Sequence, residues 1–322
     1  MSIAVKVIAH SRVDVGTPDL ITLQMRYPRF IHAEAKTHRL IRIDDAEYEF
    51  LQEISFMDDE NLSRNASSSR AVPVERMIQD VIEDPAMPVR WGANQPGMQD
   101  AGDHKVEVLV PHIILDDGGP ERGDAWLSET DPVDAWRRAR DIAVEYARGF
   151  AKAGYHKQVV NRLLEPFAHI SVVVTATEWD NFFALRCHPD ADPTMRALAE
   201  AMRDAIESSV PTSSVGDWHL PYVSEDDRHS FRVNRDEKKQ WILAMISAAR
   251  CARVSYLNHD GTNPDIDKDL ALAQRLLESK HASPFEHQAC PDIHNHYFGW
   301  DKAELHGNLV GWKQFRKMLE KQ

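Results

Sequence analysis

Within eight residues, Ser63-Arg64-Asn65-Ala66-Ser67-Ser68-Ser69-Arg70, the chain places four hydroxyls, one amide and two guanidiniums. Hydroxyls and backbone N–H groups at the start of a helix can wrap a phosphate, and arginine adds bidentate, charge-assisted bonds. Alone, the same run also reads as a solvated serine-rich loop. Arg186-Cys187-His188-Pro189 sets a thiol beside a cation and an imidazole, the surroundings in which a thiolate becomes a nucleophile. No further nucleophile pattern accompanies it, so Cys187 is not expected to be catalytic. His294-Asn295-His296 spells a nuclease tripeptide without the ββα-metal ligands that give it meaning, and is expected at a surface or interface. His281 and His287 lack a Cys-x-x-Cys or His-Glu-x-x-His spacing, so no metal is expected.

Four further segments change the weight of the serine run: Asn161-Arg-Leu-Leu-Glu-Pro166, Asn181-Phe-Phe-Ala-Leu-Arg-Cys-His188, Arg250-Cys-Ala-Arg-Val-Ser-Tyr256 and His281-Ala-Ser-Pro-Phe-Glu-His287. With Thr37-His38-Arg39, they resemble the motifs of the flavin-dependent thymidylate synthases: R-H-R followed by S-x-N-E-x-S-x-R-Y, a late N-F-x-x-L-R, A-R-V-S-[YF] and H-x-[ST]-P-F-E-H. In the usual family order the last two come first. Here they come last, which resembles a circular permutation, feasible where termini lie close together.

The resemblance implies FAD as cofactor, with NADPH and methylenetetrahydrofolate as co-substrates. It places His38, Arg39, Asn181, Ser255, His281, Ser283 and Glu286 at the flavin, and Ser68, Arg70 and Arg162 at the nucleotide phosphate. Arg186 would lie against the pyrimidine and stabilise charge developing on N1 and O2, with Ser68 also counted among the catalytic residues. Glu34 stands where the family has a glutamine that contacts the nucleotide.

The departures fall near the base. Thr37 replaces the first Arg of R-H-R, Ala66 the Glu of S-x-N-E, Ala71 the Tyr after the last Arg, and Thr175-Ala176-Thr177 the usual N-x-R. A carboxylate at Glu34 can accept a hydrogen bond from the exocyclic amine of cytosine, whereas glutamine both donates and accepts. Two readings stay open here: a changed base or product, and compensated drift in a divergent branch.

The elements that must position these residues follow from periodicity. Leu20–Ile31 reads as a strand with Ile21, Leu23, Met25 and Tyr27 on one face. Residues 44–60 are acidic and read as a helical insertion or surface lobe. A short helix is expected over Glu75–Glu83, then a loop over 85–103 with three prolines and three glycines. Asp131 and Pro132 open a helix running to about Ala153, and Pro193–Ser208, Lys238–Arg250 and Ile266–Ser279 carry helical patterns. Residues 209–236 are polar and turn-rich, a linker or lid. Trp91–Gln99 reads either as a cover for a planar ligand or as a loop anchored by its tryptophan. Gly311–Lys317 reads as an amphipathic terminal helix.

The chain has 322 residues, 43% of them apolar, enough for a real core. Its net charge of −13 disfavours nonspecific nucleic-acid binding. Three scattered cysteines argue against a disulfide framework, and with no signal-peptide pattern or apolar span the expected location is cytoplasmic, or the host cytoplasm if phage-encoded. The whole is read as one α+β domain over 1–322, a mixed sheet with flanking helices in which helices outnumber strands, with 40–60 inserted. The resemblance implies a homotetramer that converts a deoxypyrimidine monophosphate, dUMP to dTMP in the leading version. Methylation or hydroxymethylation of dCMP or dUMP, and a non-catalytic nucleotide-binding relative, are the alternatives.

Overall fold

The structure, a computed structural model, describes residues 3–13, 16–36, 39–43, 49–53, 55–58, 72–97, 102–111, 127–214, 217–230, 237–254 and 265–321. Its first half holds β1 (Ala4–Arg12), β2 (Leu20–Pro28), α1 (His32–Lys36), β3 (Arg39–Ile43), β4 (Glu49–Glu53), β5 (Ser55–Asp58), α2 (Val74–Glu83), β6 (Val108–Pro111), β7 (Leu127–Thr130) and α3 (Pro132–Lys152). After these come α4 (Lys157–Val160), β8 (His169–Ala176), α5 (Asp180–Arg186), α6 (Pro193–Glu207), β9 (Thr212–Ser213), α7 (Glu225–Ser230), α8 (Glu237–Ala252) and α9 (Ile266–Glu278). The chain finishes with β10 (Ala289–Pro291), β11 (His294–Asn295), β12 (Gly299–Trp300), β13 (Trp312–Gln314) and α10 (Phe315–Leu319).

A five-stranded mixed sheet in the order β5-β8-β2-β1-β9 organises the molecule. β2 lies antiparallel to both β1 and β8, β5 is antiparallel to β8, and β9 runs parallel to β1. The register pairs Leu23 with Val174, Met25 with Val172 and Tyr27 with Ile170. Because side chains alternate across a strand, these residues share one face. That face, with Ile21 and Ala176, packs against Trp179 and Phe182 of the α5 region and Met195, Leu198, Ala199 and Met202 of α6.

The opposite face is also covered. Val173 packs with Tyr222, Cys251 and Val254, and α8 continues into a cluster with α9, Phe285 and Phe315. Thr22 and Thr175, which the alternation expects to meet solvent, are therefore fully buried. The sheet is the middle of three layers, with α5 and α6 on one side and the α8–α9 half on the other.

Most expected helices form within a residue or two of their predicted ends. Asp131 Oδ1 accepts from Val133 N at 2.8 Å with Pro132 in the first turn, and Asp192 caps α6 through Thr194 N and Met195 N. Three expectations change. β2 ends at Pro28, which lacks the N–H a ladder needs, and Arg29–Ile31 turn as a 3-10 helix. The helical reading of 44–60 gives way to β4 and β5, the latter an edge of the main sheet. The strands are more numerous than the α-helices but mostly short, and among the described residues more lie in helices than in strands. In Gly311–Lys317 the expected amphipathic helix begins only at Phe315, after β13, and its Trp312 and Phe315 are fully buried in the core. Gly311 has φ +80°, and a Cβ there would stand 2.8 Å from Thr17 Cγ2.

Among the described residues no helix is long and apolar enough to cross a membrane. The three cysteines are free.

Candidate functional site

α1 follows directly on the end of β2, and its placement is set by burial. Ile31 and Ala35, four residues apart, enter the same cluster as Trp179 and Phe182. His32 Nδ1 lies 2.8 Å from the buried Tyr27 hydroxyl and ties α1 back to the strand. Glu34, offset from the buried stripe, faces the C-terminal end of α5. There Arg186 Nη1 donates to Glu34 Oε1 at 2.8 Å.

This pair stands on the wall of a cleft of about 990 Å³, lined by Ala33, Glu34, Leu185, Arg186, His188 and Asp192 among others. The volume lies within the ordinary range for small-ligand sites. Arg186 Nε is buried without a hydrogen-bond partner among the described residues. A buried donor left unmatched is costly, and no described residue supplies this one with an acceptor. Asn181 is the second residue of the same helix and is half-buried.

The phosphate candidates are partly described. Ser68 and Arg70, with the whole serine run, lie outside the described residues. Arg162 occupies a 3-10 turn, exposed, with the Glu165 carboxylate 4.0 Å away. Asn161 Nδ2 donates to the Val72 carbonyl at 3.0 Å, which tethers the Arg162 turn to the chain two residues beyond Arg70. His38 and Ser255 also lie outside the described residues, and Arg39 begins β3.

The S-P-F-E-H segment is a 3-10 turn, Ser283–Glu286, seated by the buried Pro284 and Phe285. Arg316 Nη1 donates to the Glu286 carboxylate, and Gln314 Nε2 donates to its backbone carbonyl at 3.1 Å. His281 Nδ1 meets Ser279 Oγ at 2.9 Å, leaving this ring and Ser283 half-buried at the turn. The turn packs with α8 and Phe315, whereas Asn181, Arg186 and Glu34 belong to the α5 side. One chain thus carries the two sets of candidate residues on opposite faces of its sheet.

The donor set fits a flavin in part. Ser283 and His281 offer a hydroxyl and a ring nitrogen, but the Glu286 carboxylate is already engaged by Arg316.

Other candidates resolve into structure. Burial pushes the Cys187 thiol up, against the thiolate a nucleophile needs. His294 and His296 are exposed, and His294 packs edge-on to Trp300. No group of three or more potential metal ligands gathers among the described residues. Trp91 packs edge-on to Trp136 at 5.9 Å, which anchors its loop on α3.

Sequence reasoning missed two buried polar systems. Arg250 is fully buried: its Nε donates to Asp269 Oδ2 at 2.8 Å, and Nη1 and Nη2 fork onto Asp227 at 2.6 and 3.0 Å. Arg253 adds an ion pair to Asp269 at 2.5 Å. Burial pushes Asp227 up, but hydrogen bonds from Arg250 and Ser224 outweigh it and hold the carboxyl below its ordinary value. The signal was present in α8, where Arg250 occupies an apolar position four residues after Ile246. The second system links His219 and His287 through two threonines, and nothing in local sequence announces it.

The family model described as thymidylate synthase complementing protein matches residues 20–212, more than half of the chain. The match takes in Glu34, the serine run, Arg162 and Asn181–Arg186, and stops before the Arg250–Tyr256 and His281–His287 segments. No curated protein and no solved structure matches the chain. The matched stretch carries the Glu34–Arg186 cleft itself, and the chain belongs to the thymidylate synthase complementing protein family.

Proposed function

We propose that the chain is a flavin-dependent enzyme that transfers a one-carbon unit from methylenetetrahydrofolate to C5 of a deoxypyrimidine monophosphate, dUMP to dTMP in the leading version. The observation that carries this reading is the cleft on whose wall Arg186 meets Glu34. FAD, reduced by NADPH, supplies the hydride chemistry when bound.

The chain's own residues bind, orient and stabilise. Ser68, Arg70 and Arg162 hold the phosphate, and the Asn161–Val72 tether supports placing the two ends of that cradle together. Arg186 meets the negative charge that develops on N1 and O2 of the ring, an effect strengthened by partial burial. His38, Arg39, Asn181, Ser255, His281, Ser283 and Glu286 hold the flavin. Because Asn181 and Ser283 sit on opposite faces of the sheet, a complete flavin site is gathered from more than one copy, in keeping with a homotetramer.

A second reading is favoured by one contact. Glu34 is an acceptor-only carboxylate at the cleft, matched to the exocyclic amine of cytosine. On that reading dCMP is methylated or hydroxymethylated. Incubation of purified protein with dUMP or dCMP, methylenetetrahydrofolate and NADPH, with products identified by mass, separates the two. Product from dUMP supports the leading version; product from dCMP alone overturns it. A colourless protein that takes up no added flavin and turns over neither nucleotide would establish a non-catalytic relative instead.

A further inference from the structure

A continuous chain of hydrogen bonds crosses the middle of the molecule. Ser11 Oγ lies 2.8 Å from His219 Nδ1, and His219 Nε2 lies 2.8 Å from Thr22 Oγ1. Thr22 Oγ1 lies 2.7 Å from Thr175 Oγ1, which lies 2.8 Å from His287 Nδ1. Three adjacent strands, β1, β2 and β8, supply one hydroxyl each, the loop before Leu220 supplies one ring, and the S-P-F-E-H segment supplies the other. Ser11 is 6% exposed and the other four residues are fully buried. His219 is held by backbone bonds in both directions with Ala289, just beyond His287. His287 Nε2 is buried with no hydrogen-bond partner among the described residues.

Burial keeps both rings neutral, pulling each down to about 3. A neutral imidazole has one N–H and one acceptor nitrogen, and each hydroxyl has one hydrogen. If any bond reversed direction part-way, Thr22 or Thr175 would accept twice and its own hydrogen would be buried without an acceptor. All bonds must therefore point the same way. In one direction both rings carry the proton on Nε2, and in the other both carry it on Nδ1. The two rings always share a tautomer. Orphaned buried N–H groups are rarer than orphaned acceptors, so the Nδ1–H form, which leaves His287 Nε2 as a bare acceptor, is favoured.

We propose that His219 and Thr175 are positioning residues that set, through this relay, which nitrogen of His287 carries the proton and how the S-P-F-E-H turn seats on the sheet. Thr175 stands where the usual family motif has asparagine, and its hydroxyl is the link between the sheet and His287. Any effect on flavin rests on the proposed function of that turn; the proton arrangement does not.

The test is long-range ¹H–¹⁵N spectroscopy of histidine-labelled protein at pH 7, with His219→Gln and His287→Gln to assign the rings. Both rings are expected neutral, with the proton on Nδ1. Opposite tautomers, or an imidazolium at either site, overturn the relay. Thr175→Val, similar in shape but without the hydroxyl, should shift the His287 signals and weaken flavin retention about tenfold, and Thr175→Ser should restore both. Unchanged His287 signals in Thr175→Val overturn the relay. Shifted signals with undiminished flavin retention overturn the positioning of the turn. If the unaltered protein takes up no flavin, the cofactor assignment fails, and the relay stands or falls on the ring signals alone.

Discussion

On the proposed function, Arg186 and Glu34 make opposite demands on a substrate. A guanidinium at the ring favours an anionic transition state, and a carboxylate 2.8 Å from it partly offsets that field until the substrate intervenes. Arg186→Ala is therefore expected to abolish turnover while leaving flavin bound, as read by visible absorbance of the purified variant. Survival of activity within about tenfold, a loss under ~1.4 kcal/mol, would refute the electrostatic role. Glu34→Gln, which restores an amide able to donate, should raise kcat/KM for dUMP relative to dCMP at least tenfold. A ratio that stays put would show that Glu34 does not read the base. Cys187→Ser should retain activity, since burial holds the thiol protonated.

α8 is buried along its later turns, with Leu243, Ala244 and Ile246 through Ala252 all buried. A helix surrounded in this way loses the single apolar stripe of a surface helix, so its one buried cation must bring its own counter-charges. Arg250 does so through Asp227 on α7 and Asp269 on α9, joining three helices at one guanidinium. Arg250→Met would leave two buried carboxylates without their shared partner. The expected cost is about 3–5 kcal/mol in urea unfolding. Arg250→Lys should be destabilised as well, because an ammonium cannot fork onto both partners. Wild-type stability in both variants would show that the network contributes nothing.

Across the whole molecule, the groups buried between the sheet and the α8–α9 layer give a pH dependence with a definite sign. His219 and His287 have folded values of about 3 against an ordinary 6.5, so the unfolded chain binds more protons between those limits. Their contribution is fully present above about pH 6.5 and is lost as pH falls toward 3, at most about 1.4 kcal/mol per pH unit for each ring. Asp227, held below its ordinary 3.8, adds a loss at the acidic end of that range. Urea unfolding followed from pH 8 to pH 5 should show stability falling below pH 6.5, with a shallower fall in His287→Gln. A flat profile from pH 7 to pH 5 would mean that these rings are not buried neutral.

How much of this was legible in the chain depends on the range of the interactions involved. The helices that follow Asp131 and Asp192, and the apolar face of β2, were readable because caps and periodicity act between near neighbours in sequence. The pairing of Glu34 with Arg186 was anticipated only as shared membership of one site. Its direct contact depends on Ile31, Ala35 and Phe182 finding a common core across some 150 residues of chain. The edge position of β5 escaped an acidic stretch whose composition resembles a surface lobe, because a strand is defined by its partner, here β8.

The amino-acid sequence by itself determined the family motifs, the main helices and the residue types that the proposed function assigns to phosphate, base and cofactor. Only the tertiary structure decided which of them meet. It joined Glu34 to Arg186, turned Arg250 and Arg253 into structural ions, placed Glu286 against Arg316, and threaded Ser11, Thr22, Thr175, His219 and His287 into one relay. Those contacts depend on which faces of a three-layer fold become buried together, and no local pattern carries that information.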